Sequence, residues 1–361
     1  MSKRLVAVLV AAVVATAGCG ADSGENTPRT VARAGVDGTM LILDGNPWWP
    51  TGLNAYQLAS DWSVNAGCGA EVDLDAYFDG LPPGALTRFD AFRMLATNTR
   101  TGALDFGPLD AVFAAAERHR QMVVPVLAGF DGACENEVFK TRDWYVDGWQ
   151  RGGDEGGISY EEWVGLAVNR WKTSASLAMW DLIGEPEPLA ADRSCPDDAA
   201  SVLRTFVDRI GARVRSIDST HPVTVGLVGG GQCGTAGDEY GRLAGSAHID
   251  VLQYHDYGAD GIPLPGSGTD GLAARIAQAR AAGKPLLVAE IGQYAGNEGG
   301  CATPATRAVD VGRKIDGQRA AGTAGALLWA YVPDPRSGEC TYDIGDGDPV
   351  RHVLDSRATV G

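Results

Sequence analysis

The sequence predicts a single (β/α)₈ barrel. Two observations carry that expectation. Eight short apolar runs recur between Trp49 and Ala330, and stretches with helical spacing of apolar residues separate most of them. Short buried strands alternating with helices make a parallel sheet, and eight of them in about 300 residues suit a closed barrel better than an open sheet. No Gly-x-Gly-x-x-Gly follows the first run, which disfavours a dinucleotide-binding sheet.

Residues 49–54 open the series with Trp-Pro-Thr-Gly-Leu-Asn. The second run is 90–95, around Phe92, Arg93 and Met94, and the third is 122–127. Runs at 178–183, 223–228, 250–254, 285–289 and 325–330 complete the eight. Between them, 109–121 places Leu109, Val112, Phe113 and Ala116 on one helical face, and 160–171 does the same with Trp163, Leu166, Ala167 and Trp171. Stretches 199–217, 271–282 and 306–320 read as further helices.

The chain divides into an export segment, 1–18, a tether, 19–33, and the barrel domain, 34–361. Ser2-Lys3-Arg4 is a basic start, 5–17 is apolar, and Thr16-Ala17-Gly18-Cys19 follows. That is a secretory signal, and a cysteine after Ala-Gly is the bacterial lipoprotein pattern, in which Cys19 is acylated. The chain is then held outside the cytoplasm on the cell membrane by lipid at Cys19, or secreted if cleavage falls nearby. The apolar run is short for a membrane span, which needs about 18 residues. Residues 20–33 are small and polar, as a flexible tether is.

Of 361 residues, 46 are acidic and 30 are Lys or Arg, giving a formal charge of −16. This argues against nucleic-acid partners and against electrostatic docking on anionic lipid, and leaves neutral ligands open. Setting Cys19 aside, six of the seven cysteines remain, an even number in an exported chain, which favours disulfides. Six cysteines allow 15 pairings. All six fall in or near loops that follow strands, and Cys68–Cys134, Cys195–Cys233 and Cys301–Cys340 would each tie neighbouring loops. None shows Cys-x-x-Cys spacing, so no zinc site is expected. No cofactor or metal is expected, and a monomer is.

In such barrels the chemistry gathers at the C-terminal ends of the strands. Glu185 follows the fourth run, His255 and Tyr257 the sixth, and Glu290 the seventh; Asn54 and Tyr56 close the first, Arg93 lies in the second, and Trp329 ends the eighth. Two carboxylates after the fourth and seventh strands face each other across a barrel mouth.

These residues resemble family 5 glycoside hydrolases, retaining enzymes of the large barrel clan. Trp180-Asp181-Leu182-Ile183-Gly184-Glu185-Pro186 is similar to that family's Trp-Glu-Leu-x-Asn-Glu-Pro. Ala289-Glu290-Ile291-Gly292 resembles its Glu-Phe-Gly, His255-Asp256-Tyr257 its His-x-Tyr, and Phe92-Arg93-Met94 its arginine-bearing second strand. Gly52-Leu53-Asn54-Ala55-Tyr56 is similar to the opening of its mannanase-like members, and Arg170-Trp171-Lys172 to the Arg-Tyr-Lys before its fourth strand. The six motifs run in order over about 44–329.

The resemblance implies double displacement on β-linked glycans, mannan or a related β-1,4-hexosan. Glu185 would be acid/base and Glu290 nucleophile. Tyr257 and Arg93 would support the Glu290 carboxylate, and His255 would touch Glu185 or the substrate. Asn54, Tyr56, Gly184 and Trp329 would bind substrate, Trp329 as the apolar floor. The departure is Gly184, where the family has an Asn that contacts the sugar 2-hydroxyl. A furanosidase on galactofuran or arabinan is one alternative that this glycine raises; a non-catalytic glycan-binding lipoprotein is another. Metal-dependent hydrolysis lacks a ligand cluster. Trp62, Trp144 and Trp149, in loops after the first and third runs, would stack on sugar rings or pack their own loops. Trp48, Trp163 and Trp171 read as core, His119, His221, His248 and His352 as ordinary polar residues, and Asp343, Asp346 and Asp348 as a solvated turn.

Overall fold

The computed structural model describes residues 33–152, 157–298, 300–357 and 359–360. The expected export segment, Cys19 and the tether up to residue 32 lie outside the described residues. Three short strands come first: β1 (Ala34–Asp37), β2 (Met40–Leu43) and β3 (Asn46–Trp49). The β2–β3 turn is Asp44-Gly45, both at positive φ (51° and 82°), the geometry that twists with a hairpin.

Eight parallel strands then build the barrel: β4 (Thr51–Asn54), β5 (Leu86–Asp90), β6 (Met122–Val126), β7 (Trp180–Gly184), β8 (Val223–Gly226), β9 (Leu252–Asp256), β10 (Leu286–Ile291) and β11 (Ala326–Leu328). Hydrogen bonding runs β8-β7-β6-β5-β4-β11-β10-β9, and a parallel bridge from Thr224 to Val251 joins the two ends. A last strand, β12 (Thr359–Val360), pairs antiparallel with β3, so the small sheet takes in both ends of the described chain.

The helices are α1 (Leu74–Asp79), α2 (Gly107–Arg118), α3 (Arg142–Val146), α4 (Tyr160–Trp171), α5 (Ala199–Ile217), α6 (Asp238–Ala244), α7 (Leu272–Ala281), α8 (Pro304–Ala321) and α9 (Val350–Arg357). Their ends are written in the sequence. Ser159 and Glu162 cap each other's backbone at the start of α4. Thr303 caps α8 ahead of Pro304, and Gly322 ends it at φ 98°. Among the described residues no helix is long and apolar enough to cross a membrane.

The core has two parts. One lies between strands and helices, where Phe106, Phe113, Trp163 and Trp171 pack ring on ring. The other seals the N-terminal end of the barrel, where Leu41, Leu43 and Trp48 of the small sheet meet Met122, Met179 and Leu287.

One predicted strand is misplaced. The second barrel strand is β5, Leu86–Asp90, and Arg93–Ala96 is a 3₁₀ turn beyond it. The strand carries Thr87 and Arg88, both buried, so it does not read as an apolar run. Ala91, Phe92 and Leu95 do, because the loop above the strand is buried as well.

Candidate active site

The C-terminal strand ends open into a cleft of about 870 Å³, lined by Tyr56, Arg88, Glu185, Tyr257, Glu290 and Trp329 among others. Register places its central groups. Asn54 on β4 stands beside Arg88 on β5, and His255 on β9 stands beside Glu290 on β10, where the register shifts after Val288. Such a shift re-aims a side chain. Glu185 follows β7 at φ 50°, a left-handed conformation uncommon for a non-glycine residue, held by its N–H donating to the Gly226 carbonyl at 2.8 Å. A Cβ on Gly226 would lie 2.9 Å from the Gly184 Cα, so glycine at 226 lets β7 and β8 close up beneath Glu185.

Glu290 is 4 % exposed. Arg88 Nη1 donates to its Oε1 at 2.8 Å, and the Tyr257 hydroxyl donates to its Oε2 at 2.6 Å. The Tyr257 ring reaches there across Gly292, where any Cβ would meet it at 2.2 Å. Burial and the Glu290 charge push the Tyr257 phenol up, which keeps it a donor. Arg88 also donates Nε to Asp181 Oδ2 at 2.9 Å and Nη1 to Asn54 Oδ1 at 3.0 Å. His255 Nδ1 lies 2.6 Å from Glu185 Oε1 and 3.4 Å from Glu290 Oε1. One oxygen of each glutamate and one His255 nitrogen all lie within 4.8 Å of one another.

Burial pushes both carboxyls up. For Glu185 burial is the largest single influence, but the His255 hydrogen bond, the His255 charge and Arg88 together outweigh it and leave the carboxyl below its ordinary value. For Glu290 burial wins over His255 and Arg88, with the Glu185 charge adding to the rise. Glu290 is thus held above, and Glu185 below, the ordinary carboxylate value. An acid at Glu185 and a nucleophile at Glu290 need the reverse order, so those roles rest on position and partners rather than on titration. The Glu185–His255–Glu290 cluster has the residue types of a metal site. It is a poor one, because both Glu290 oxygens already receive donors and the Arg88 cation stands against them. Cys68 and Cys134, near Asp90, are joined to each other and offer no thiolate.

Several sequence expectations are corrected. The arginine against Glu290 is Arg88; Arg93, past the strand, points its guanidinium toward Gly157 and the Met94 sulfur. Asn54 is 1 % exposed and donates to the Ala289 and Leu328 carbonyls, so it orients Arg88 and faces no substrate. Trp149 is 2 % exposed and packs on Phe206. Trp144 packs on Tyr160 and Phe206 and does not line the cleft. Trp62 is 63 % exposed, yet it too lies outside the lining. Asp343 and Asp348 bind Arg336 and Arg307, so that turn is an ion-paired one.

Tyr56 and Trp329 do line the cleft, with ring centroids 5.7 Å apart and near parallel, and Gly184 lines it beside Glu185. The Trp329–Ala330 peptide is cis. The disulfides join Cys68 to Cys134, Cys195 to Cys233 and Cys301 to Cys340, with Cα separations of 5.3, 5.5 and 5.9 Å. Reading by motif missed Arg88, Gln253 and the tyrosines Tyr294 and Tyr342, whose stacked rings, 4.0 Å apart, line the cleft beyond Tyr257. It missed Asp90 too, a cleft carboxyl that burial pushes well above its usual range.

No family model matches the chain. It is similar to the mannan endo-1,4-β-mannosidase F of Aspergillus clavatus, 26 % identical over 298 residues, covering 72 % of this chain and 64 % of that one. It is also similar to a probable mannan endo-1,4-β-mannosidase F of Aspergillus flavus, 24 % identical, covering 86 % and 69 %. Thus this chain spans 64 % of the first relative's length. Among solved structures, the endo-1,4-β-mannanase of Rhizomucor miehei superposes with a TM-score of 0.65 at 18 % identity, over 90 % of this chain and 99 % of that one. That likeness is one of fold.

Proposed function

We propose that this chain is a retaining β-glycoside hydrolase that acts on β-1,4-mannan. The observation that carries the reading is the pair of glutamates at the ends of β7 and β10, with a carboxylate oxygen of each within 4.8 Å of the other. Retaining enzymes hold their carboxyl groups about 5 to 5.5 Å apart, and inverting ones leave room for a water between. Glu290, held by Arg88 and Tyr257, attacks the anomeric carbon. Glu185 gives its proton to the leaving oxygen, then takes one from the water that releases the glycosyl-enzyme. Trp329 and Tyr56 offer an apolar wall to the sugar ring. The mannan assignment is supported by the similarity to fungal mannanases. Export, with lipid on Cys19, is part of the same reading. The apolar run at 5–17 and three disulfides in the described domain support it.

A furanose substrate is the second reading. Gly184 presents no side chain where the resembling enzymes reach a pyranose 2-hydroxyl.

The test is mass spectrometry after exposure to fluoro-sugar inactivators of both ring sizes. An adduct on Glu290 is expected, fastest with the mannose reagent, and Glu290→Ala should show no turnover. Glu185→Ala should slow substrates with poor leaving groups far more than activated aryl glycosides. Inversion of the anomeric centre, or full activity in Glu290→Ala, refutes the reading. Tight glycan binding with neither adduct nor turnover would make the chain a glycan-binding protein.

A further inference from the structure

Gln253 and His255 lie two residues apart on β9, so both side chains point into the barrel, and Gln253 is fully buried. The Gln253 amide has its orientation set by its partners. Its Nε2 lies 2.8 Å from Asp181 Oδ2 and 3.1 Å from Thr224 Oγ1. Asp181, ion-paired with Arg88 at 2.9 Å, is a carboxylate and only accepts. The Thr224 hydroxyl spends its own proton on the Val251 carbonyl at 2.8 Å and has lone pairs free to receive. The NH₂ end of Gln253 therefore faces Asp181. Its carbonyl oxygen faces His255 Nε2 at 3.3 Å. A carbonyl oxygen cannot donate, so Nε2 must carry a hydrogen. A neutral imidazole has one N–H, which leaves Nδ1 bare when His255 is neutral.

We propose that Gln253, anchored by Asp181, is a positioning residue: it keeps a proton on His255 Nε2, so that Nδ1, the nitrogen against Glu185, is the one that gains and loses a proton. The inference rests on Glu185 being the acid/base of the proposed reaction. The charged groups that face this imidazole are Glu185 from beyond β7, Glu290 on β10, Asp181 on β7 through Gln253, and Arg88 on β5 through Asp181 and Glu290. Tyr257 reaches it only through Glu290.

The consequence is chemical. When Glu185 and His255 share one proton, it lies between Glu185 Oε1 and Nδ1 and is the proton that Glu185 passes to the leaving oxygen, while the ring keeps its own hydrogen on Nε2. Neutral His255 can only accept there, and its lone pair opposes a bare Glu185 carboxylate. Loss of that proton leaves the Nδ1 lone pair against the Glu185 carboxylate, an opposition that a hydrogen on Nδ1 would relieve. Without Gln253, Nε2–H loses its acceptor, and the neutral ring is free to place its one hydrogen on Nδ1.

Two measurements test this. In wild-type protein labelled with ¹⁵N, two-bond ¹H–¹⁵N spectra at a pH where His255 is neutral should show a protonated Nε2 and an unprotonated Nδ1. In Gln253→Met, the basic limb of kcat/KM against pH, read on a substrate with a poor leaving group, should move down by about 1 pH unit, the size of one neutral hydrogen bond. A purely structural role would lower kcat and leave that limb where it was. The inference is overturned if neutral wild-type His255 carries its hydrogen on Nδ1, or if folded Gln253→Met keeps the wild-type limb. Should Gln253→Met fail to fold, the wild-type spectrum still decides. Should the protein hydrolyse no glycan, the proposed reaction falls, and the spectrum answers the tautomer question separately.

Discussion

Replacing Arg88 with lysine separates the two arginines that compete for the supporting role. Arg88 makes three hydrogen bonds in a fixed fork: to Asp181 at 2.9 Å, Glu290 at 2.8 Å and Asn54 at 3.0 Å. An ammonium is a single point charge and cannot span two carboxylates held apart by that fork. Lysine can keep one of them, and the other stays buried without its cation, since the Asp181 and Glu290 side chains are 0 % and 5 % exposed. One lost charge-assisted hydrogen bond costs about 1.5 to 3 kcal/mol, and a buried charge left unpaired costs about 3 to 5 kcal/mol. Arg88→Lys should therefore lose about 3 kcal/mol, a large part of a typical stability of about 5 to 15 kcal/mol. With less positive charge beside it, Glu290 rises further, and kcat/KM on an aryl glycoside should fall at least about tenfold. Arg93→Ala should stay within about 0.5 kcal/mol of wild type in urea unfolding, and close to it in rate. A neutral Arg88→Lys beside a crippled Arg93→Ala would refute the placement of Arg88.

Other outcomes follow from the same geometry. Gly184→Asn should fold, because a Cβ there meets Arg88 Nη2 at 3.3 Å and little else, and it should raise kcat/KM on pyranosides; no gain would mean that the pocket is organised around the glycine. Tyr294, 52 % exposed and stacked on Tyr342, is placed to meet a sugar ring beyond Tyr257, so Tyr294→Ala should raise KM for long oligosaccharides about threefold to tenfold and far less for a short aryl glycoside. Asp218 is buried, but hydrogen bonds from His221 and Trp180 outweigh that burial and hold its carboxyl well below the usual range. Its folded pKa lies below the unfolded one, so its contribution is complete above about pH 4 and fades as pH falls further. Urea midpoints at pH 6 and pH 3 should differ less in Asp218→Asn than in wild type.

The barrel was legible because its outer layer obeys simple periodicity. The predicted helices at 160–171 and 199–217 match α4 and α5 end to end, since each has a buried stripe and clear flanking residues. What escaped was the polar interior. Arg88, Thr224 and Gln253 point into the barrel, and Thr87 faces outward to the Tyr77 hydroxyl of α1, so β5 lacks the apolar character that marks a strand, and the apolar loop above it takes its place in a pattern reading. The glutamates, His255, Tyr257 and Trp329 were findable as residues at strand ends. Arg88 was hidden because the arginine five positions later, Arg93, stands in a more strand-like setting. The tryptophans failed for another reason. Ring type does not tell a wall of the cleft from a wedge in the core, and Trp149 is the second. Short helices such as α3 and α6, and the small sheet, were not foreseen, because four to seven residues are too few for a period to show.

The small sheet gives the molecule a back and a front. β3 runs directly into β4 at the barrel's N-terminal end, β12 lies against β3, and the cleft opens at the opposite end. Arg33 and Val360 therefore leave the domain on its rear side. A chain grafted by either end to a bead, a sensor chip or a bilayer turns its mouth outward, toward polymer too large to diffuse beneath it. Immobilised protein should thus digest insoluble material about as readily as soluble protein does, with no long spacer between support and domain.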